Sequence, residues 1–341
     1  MTLLRLVDRG LYCEAGDFFV DPWGPVDRAV VTHAHGDHVA WGCRNYLTSA
    51  EGVAVLRSRL APDAPVTGLG YGRTTSINGV TVSLHPAGHI LGSSQVRIEL
   101  GGEVWVVSGD YKCDPDPTTT AFETVRCHTF VTESTFGLPI YRWPPQRDVL
   151  RDINAWWRAN QTTGKCSLLY GYALGKAQRL LAGLDPGIGP IFTHGAVERM
   201  TAVYRAAGVA LPDTRHAGTV DRRTDWSSAM VLAPPSADGS VWTRRFGPQA
   251  TAFASGWMLV RGARRRRSLD RGFPLSDHVD WPGLLAAVGD TGAERVWVTH
   301  GYTGPVVRWL RERGLDAKAV QTRFEGDADD EAVGTGDESE R

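Results

Sequence analysis

Cysteine is scarce in this chain and never grouped. Five occur in 341 residues: Cys13, Cys43, Cys113, Cys127 and Cys166. The number is odd and none forms a CxxC pair, which argues against a disulfide framework and a zinc knuckle. Reduced thiols, and so a cytoplasmic location, are the expectation. Also missing is an apolar run long enough to span a bilayer. Met1 to Gly10 carries Arg5, Asp8 and Arg9 and lacks a continuous apolar core, so no secretory signal and no membrane partner are expected. There is no internal repeat. There is no true phosphate loop either, because Gly171-Tyr-Ala-Leu-Gly175-Lys176 lacks a spacer residue and a Ser or Thr after the lysine.

A surplus of charge is missing too, since the net charge is −1. That balance hides an asymmetry. Glu325 to Arg341 holds eight acidic residues and one Arg, which leaves 36 basic against 30 acidic residues in the rest. The tail reads as disordered. Arginine dominates the basic excess, and its planar fork suits phosphate. The charge permits a nucleic-acid partner without demanding one.

What is present is an α/β pattern. Arg28 to Thr32, Val80 to Leu84, Val96 to Leu100, Val104 to Val107 and Thr129 to Thr132 have the composition of strands. From Asp148 to Asn160 the apolar residues fall at helical spacing. Ser167 to Tyr170, Ile191-Phe192 and Met230 to Leu232 read as buried strands, with helices over Lys176 to Leu184 and Val197 to Ala207 between them. Such alternation predicts a second, mainly parallel sheet. The first pattern then returns. Asp280 can cap a helix beginning near Trp281-Pro282, and Glu294 to Thr299 is a strand ending at His300. The chain therefore reads as one lobe interrupted by another.

The chemistry concentrates in Thr32-His33-Ala34-His35-Gly36-Asp37-His38, directly after the apolar run Ala29 to Val31. Residues two apart in an extended segment point the same way, so His33 and His35 project together. Gly36 lets the chain turn, and Asp37 and His38 come round to a neighbouring point. Imidazole nitrogen and carboxylate oxygen are good zinc ligands. Four ligands in six residues crowd a single ion, so two adjacent ions are expected. His89, Asp110 and His300 each follow an apolar strand and neighbour a glycine. The two oxygens of Asp110 can bridge two ions, which lower the pKa of a shared water.

The set His33-x-His35-x-Asp37-His38 with His89 and Asp110 resembles the metallo-β-lactamase superfamily. By that resemblance His33, His35, His89 and Asp110 hold one ion, and Asp37, His38, Asp110 and His300 hold the second. Asp21, in Val20-Asp-Pro22, falls where that family keeps an aspartate that orients a ligand histidine. Glu133-Ser-Thr-Phe-Gly137, Ser276-Asp-His278-Val-Asp280 and Val298-Thr-His300-Gly resemble three motifs of its β-CASP nuclease branch. Longer strings, among them Gly10-Leu-Tyr-Cys-Glu-Ala-Gly-Asp17 and Gly171-Tyr-Ala-Leu-Gly-Lys-Ala-Gln-Arg-Leu-Leu181, resemble the bacterial ligase-associated DNA exonucleases.

The implied fold is an α/β metallo-β-lactamase αββα sandwich with an inserted β-CASP α/β cap. Its parts are 1–145 and 266–324 for the sandwich, 146–265 for the cap and 325–341 for the acidic tail. The implied activity is a metal-dependent DNA exonuclease in DNA repair, 5′ to 3′, with a two-metal hydroxide mechanism. The expected cofactors are two divalent ions, zinc first and manganese as the alternative. Expected partners are DNA, single-stranded or with an end, and an ATP-dependent DNA ligase and helicase of a repair operon. Asp37, Glu133 and His278 are the catalytic candidates, with His278 as general acid held by Glu133. Ser134, Thr135, Lys176 and Arg264, Arg265, Arg266 and Arg267 are candidate substrate contacts, Lys176 because a helix N-terminus can hold a phosphate. A β-CASP ribonuclease, a small-ester or thioester hydrolase of the same fold and a non-catalytic DNA-binding module stay open. His85, His128, His194 and His216 are expected to be structural.

Overall fold

The computed structural model describes residues 2–221, 223–260 and 269–323. The arginines 264–267 and the acidic stretch 325–341 lie outside the described residues. The chain is a mixed α/β protein that divides into two compact units, Met1–Arg142 with His278–Arg341, and Trp143–Asp277.

The first unit contains two sheets. One has six short strands in chain order: Arg5–Val7, Gly10–Cys13, Phe18–Val20, Ala29–Val30, Tyr46–Ser49 and Val66–Leu69. The other has seven, ordered Asp316–Ala319, Arg295–Thr299, Thr129–Glu133, Glu103–Val107, Ser94–Leu100, Val80–Pro86 and Thr74–Ile77. Strand alternation decides what each face does. Trp105, Val107, Val131 and Trp297 turn toward Leu11, Phe18, Val20 and Val30 of the first sheet and form one core between the sheets. Val104, Val106, Phe130, Val296 and Val298 turn the other way, onto the helices Trp281–Thr291 and Thr303–Arg311. Asp280 caps the former helix by accepting from Gly283 N at 2.9 Å, as its position before Trp281-Pro282 predicts.

Register in the seven-stranded sheet fixes where the loops emerge. Glu103–Val107, Thr129–Glu133 and Arg295–Thr299 run parallel, with Val107 opposite Val131 and Glu133 opposite Thr299. Their C-terminal ends therefore share one edge, and that edge delivers Asp110, Glu133 and His300.

The second unit is built on a six-stranded sheet in which every pairing is parallel. Its order is Arg215–His216, Ile191–Thr193, Met230–Ala233, Cys166–Tyr170, Gln249–Ala254 and Arg271–Phe273. Both faces are covered, which is why these strands read as near-continuous apolar runs. Leu169, Met230 and Leu232 pack with Val149, Ile153, Trp156 and Trp157 of the helix Gln146–Thr162 and with Leu180 and Leu181 of the helix Lys176–Gly183. Leu168, Tyr170, Val231 and Phe253 face Trp226, Phe246 and Met258 instead.

All five cysteines are unpaired, as expected from their number and spacing. Among the described residues no helix is long and apolar enough to cross a membrane. Trp157 is fully buried and its indole N–H donates to Ser228 O at 3.0 Å. Trp157→Ala is expected to destabilise the chain by about 3–5 kcal/mol, because it opens a cavity in the core, while Ser228 O keeps the hydrogen bond from Gln161 Nε2 at 2.9 Å. Urea unfolding followed by circular dichroism measures the loss.

Candidate metal centre

The site starts at the short strand Ala29–Val30, which pairs in parallel with Phe18–Val20 and Tyr46–Ser49. Val31 N still donates to Leu47 O at 2.8 Å. Thr32 then leaves the ladder: its carbonyl accepts from Ser94 N at 2.8 Å, while its N–H and hydroxyl turn to Asp21. Asp21 Oδ1 accepts from Thr32 N at 2.8 Å, and Oδ2 accepts from Thr32 Oγ1 at 2.7 Å and from His38 Nδ1 at 2.7 Å. Asp21 adopts φ of +45°, a left-handed conformation rare for a residue with a side chain.

This arrangement sets two tautomers. A carboxylate only accepts, so Nδ1 of His38 carries the proton and Nε2 keeps its lone pair. Thr32 has spent its hydroxyl proton on Asp21. Its oxygen therefore accepts from His33 Nδ1, 3.0 Å away, and Nε2 of His33 is likewise left with a lone pair. Both Nε2 atoms are buried without a hydrogen-bond partner. Two orphaned buried nitrogens, each with its lone pair aimed inward, are costly unless something binds them.

The other members come from separate loops. In the turn after Val80–Pro86, Ser93 Oγ accepts from His89 N at 3.0 Å, and His89 Nε2 lies 3.1 Å from His35 Nδ1. Asp110 follows Gly109, whose φ is +56° and whose position has no room for a Cβ, which would fall 2.6 Å from Thr32 Cβ. Asp110 Oδ2 lies 3.5 Å from His33 Nε2 and 3.8 Å from His89 Nε2, and Oδ1 lies 3.6 Å from His38 Nε2. Asp37 Oδ2 is 3.6 Å from His38 Nε2. His300 follows its strand with φ of +48°. Its backbone carbonyl and that of Thr299 accept from Ser134 Oγ.

Ligand atoms of His33, His35, His89 and Asp110 lie within 4.8 Å of one another, and so do those of Asp37, His38 and His300. The one carboxylate turns an oxygen to each group. These residues fit divalent metal ions: buried imidazole nitrogens and carboxylate oxygens converge, and two of the nitrogens have no other partner. The electrostatics agree. Burial holds the His33 imidazole well below its ordinary proton affinity, reinforced by the neighbouring histidines. His300 is pushed down to about 3 by burial, with His38 and His278 adding to it. Burial also works to lower His38, but the carboxylates of Asp37, Asp110 and Asp21 outweigh it and raise it. Burial raises Asp110, and the charge of Glu133 adds to that. A centre in which His33 and His300 resist protons while carboxylates draw positive charge toward His38 is suited to a multivalent cation.

Glu133 and His278 form a second arrangement beside the first. His278 Nδ1 donates to Glu133 Oε2 at 2.9 Å, Glu133 Oε1 accepts from Tyr111 N at 2.9 Å, and both side chains are buried. Asp110 Oδ2 lies 3.9 Å from His278 Nδ1.

The remaining candidates fall elsewhere. Ser134 and Thr135 are buried. Lys176 is fully buried in the second unit, with its ammonium paired to Asp277. His128 accepts from Val104 N, His194 caps the helix Gly195–Ala206, and His85 lies 3.3 Å from Glu123. Thr32, Ser93 and Gly109 hold the site together and no role for them is visible in the sequence. Thr32 and Gly109 are signalled only by adjacency to a candidate ligand, and Ser93, four residues beyond His89, not even by that.

No family model matches the chain. A protein named probable DNA ligase, from Opitutus terrae, is 34% identical over 313 residues, 91% of this chain and 30% of the relative. Cleavage and polyadenylation specificity factor subunit 3 of Dictyostelium discoideum is 32% identical over 117 residues, 34% of this chain and 15% of that one. Endoribonuclease ysh-1 of Neurospora crassa is 29% identical over 125 residues, 35% of this chain and 14% of that one. The chain thus spans less than a third of the length of each of these relatives. A crystal structure of a protein of unknown function from Enterococcus faecalis has a TM-score of 0.56 at 11% identity, covering 88% of this chain and 80% of its own, a likeness of fold alone. The ligand-type residues standing in family order at one edge of the sheets, together with these relatives, assign the chain to the metallo-β-lactamase superfamily, in its β-CASP nuclease branch.

Proposed function

We propose that the chain is a metal-dependent DNA exonuclease of DNA repair that degrades its strand 5′ to 3′. The observation that carries this reading is the buried Glu133–His278 pair beside Asp110 and the two histidine–aspartate groups. Phosphodiester hydrolysis must protonate a leaving alkoxide, and that pair supplies a positioned proton donor. The names of the relatives, a DNA ligase and an endoribonuclease, favour a nucleic acid over a small ester or thioester. The name of the Opitutus relative, much of which lies outside the match, supports DNA as polymer and a ligase as partner. A repair helicase is the second proposed partner. The name of the Neurospora relative favours a second reading, an endonuclease acting on RNA. The sandwich is read as Met1–Arg142 with the chain from His278 and the inserted cap as Trp143–Asp277, rather than the expected 146–265, because the strand Arg271–Phe273 pairs with Gln249–Ala254; 325–341 is read as an acidic tail.

In this reading His33, His35, His89 and Asp110 hold one ion, and Asp37, His38, Asp110 and His300 the second, zinc by donor set with manganese the alternative. Bound there, divalent ions supply Lewis-acid polarisation of a phosphoryl oxygen and lower the pKa of water. Asp21 orients His38 directly and His33 through the Thr32 hydroxyl. Burial of the ring of ligands keeps bulk water from competing with the fixed dipoles. With Nδ1–H given to Glu133, whose negative charge favours the imidazolium, His278 would carry its second proton on Nε2, deliver that proton to the leaving oxygen and be left as the neutral Nδ1–H tautomer. Ser134 fixes the turn that carries His300.

The reading is tested on a DNA strand carrying different dyes at its two ends, with an RNA strand of equal sequence alongside. The wild-type chain is expected to release single nucleotides from the 5′ end, and Asp37→Ala to bind the DNA without cutting it. Internal cuts or faster loss of RNA would favour the second reading, and full activity of Asp37→Ala would refute the site assignment. His278→Gln is expected to lower kcat by about 10²–10⁴-fold while leaving metal content unchanged, which single-turnover kinetics and elemental analysis separate. Asp21→Asn is expected to weaken metal affinity about 10–100-fold, read by competition with a chromogenic chelator; unaltered affinity would remove Asp21 from the orienting role.

A further inference from the structure

Among the described residues, the large apolar side chains left in water are Leu6, Trp41, Ile140 and Val241. Trp41 is the aromatic one, 59% exposed. Leaving an indole in water forgoes a large burial gain. The turn that does so is firmly built. Tyr46, itself buried, donates its hydroxyl to Ala40 O at 2.7 Å and accepts from Cys43 N at 2.9 Å. Val39, Ala40 and Cys43 are buried, and Gly42 takes φ of +78°, which turns the chain sharply. The backbone on both sides of Trp41 is fastened while its side chain faces solvent.

Position matters as much as exposure. Trp41 follows His38 by three residues, so their Cα atoms are at most about 11 Å apart. That is about three stacked nucleotides along a strand. Next to Trp41, Gly42 and Arg44 border an open groove of about 370 Å³ that also includes Arg9, Arg28, Asp17 and Asp27. Arg28 is paired with Asp17 at 3.0 Å, whereas Arg44 is 78% exposed and meets Asp27 at 3.7 Å across water-accessible surface. Such an exposed pair yields readily to a phosphate.

We propose that Trp41 is a stacking platform for an unpaired base of single-stranded DNA, with Arg44 meeting the adjoining backbone phosphate. The proposal rests on the nuclease reading and adds a contact to it. A rigid indole offers its face to any base, so the contact is independent of sequence, as an exonuclease requires. It also holds the strand at a fixed distance from the metal centre without entering it.

The test uses the full-length, metal-loaded chain cutting single-stranded DNA. KM is measured for wild type, Trp41→Ala and Trp41→Phe. Each is run on an ordinary strand and on strands with one abasic nucleotide at successive positions near the end that is cut. Trp41→Ala is expected to raise KM about tenfold, and Trp41→Phe to restore much of the loss. One abasic position should raise the wild-type KM similarly and make no further difference to Trp41→Ala. Unchanged KM in Trp41→Ala, or an abasic profile the same in both proteins, overturns the proposal while the nuclease reading stands, because DNA is still cut. A wild-type chain that cuts no DNA overturns the nuclease reading, and the proposal with it.

Discussion

Everything near the site depends on one carboxylate held out of water among imidazoles. Asp110 lies within 4 Å of ring nitrogens on His33, His38 and His89, with one oxygen toward each ligand group. Isolated burial of that charge would be strongly unfavourable. A cation between the rings and the carboxylate satisfies both at once. The same demand explains the conformational strain nearby. Asp21 and His300 take left-handed backbone conformations, and Gly109 occupies a place where any side chain would collide with Thr32. Such departures persist where surrounding contacts over-determine them.

Those contacts lie outside the ring of candidate ligands. Asp21 serves two histidines through three accepted hydrogen bonds, and Thr32 relays its effect to the second. Tyr111 backbone N–H steadies Glu133 in the same manner, and Ser134 steadies the chain at His300. The sheet supplies the coarse placement and this outer layer supplies the aim.

Legibility in the sequence followed the same division. His33 to His38 could be read at once, because ligand-type residues two apart on a strand end have few other uses. The strands before Asp110, Glu133 and His300 were readable because alternation between two cores leaves them apolar. The parallel sheet of the second unit was readable for the opposite reason, burial on both faces. Short strands such as Arg5–Val7 and Phe18–Val20 escaped, since three residues carry no period. The Thr32 relay escaped because a threonine beside a histidine is ordinary. Lys176 looked like a phosphate contact from its glycine-rich neighbourhood, yet its ammonium lies in the interior against Asp277, a partner a hundred residues away in the chain. Trp41 was indistinguishable by composition from the tryptophans that fill the cores.

The order in which the chain is made has a bearing on the two ligand groups. His33, His35, His89 and Asp110 have all been synthesised once residue 110 leaves the ribosome. Asp37 and His38 must wait for His300, which comes only after the whole of the unit Trp143–Asp277. The strand carrying His300 takes its place by pairing with Thr129–Glu133, a partner already made. A nascent chain therefore has the residues for the first group long before those for the second. A chain cut short after the second unit would carry every residue of the two groups except His300, and none of the Arg295–Thr299 strand that completes the edge.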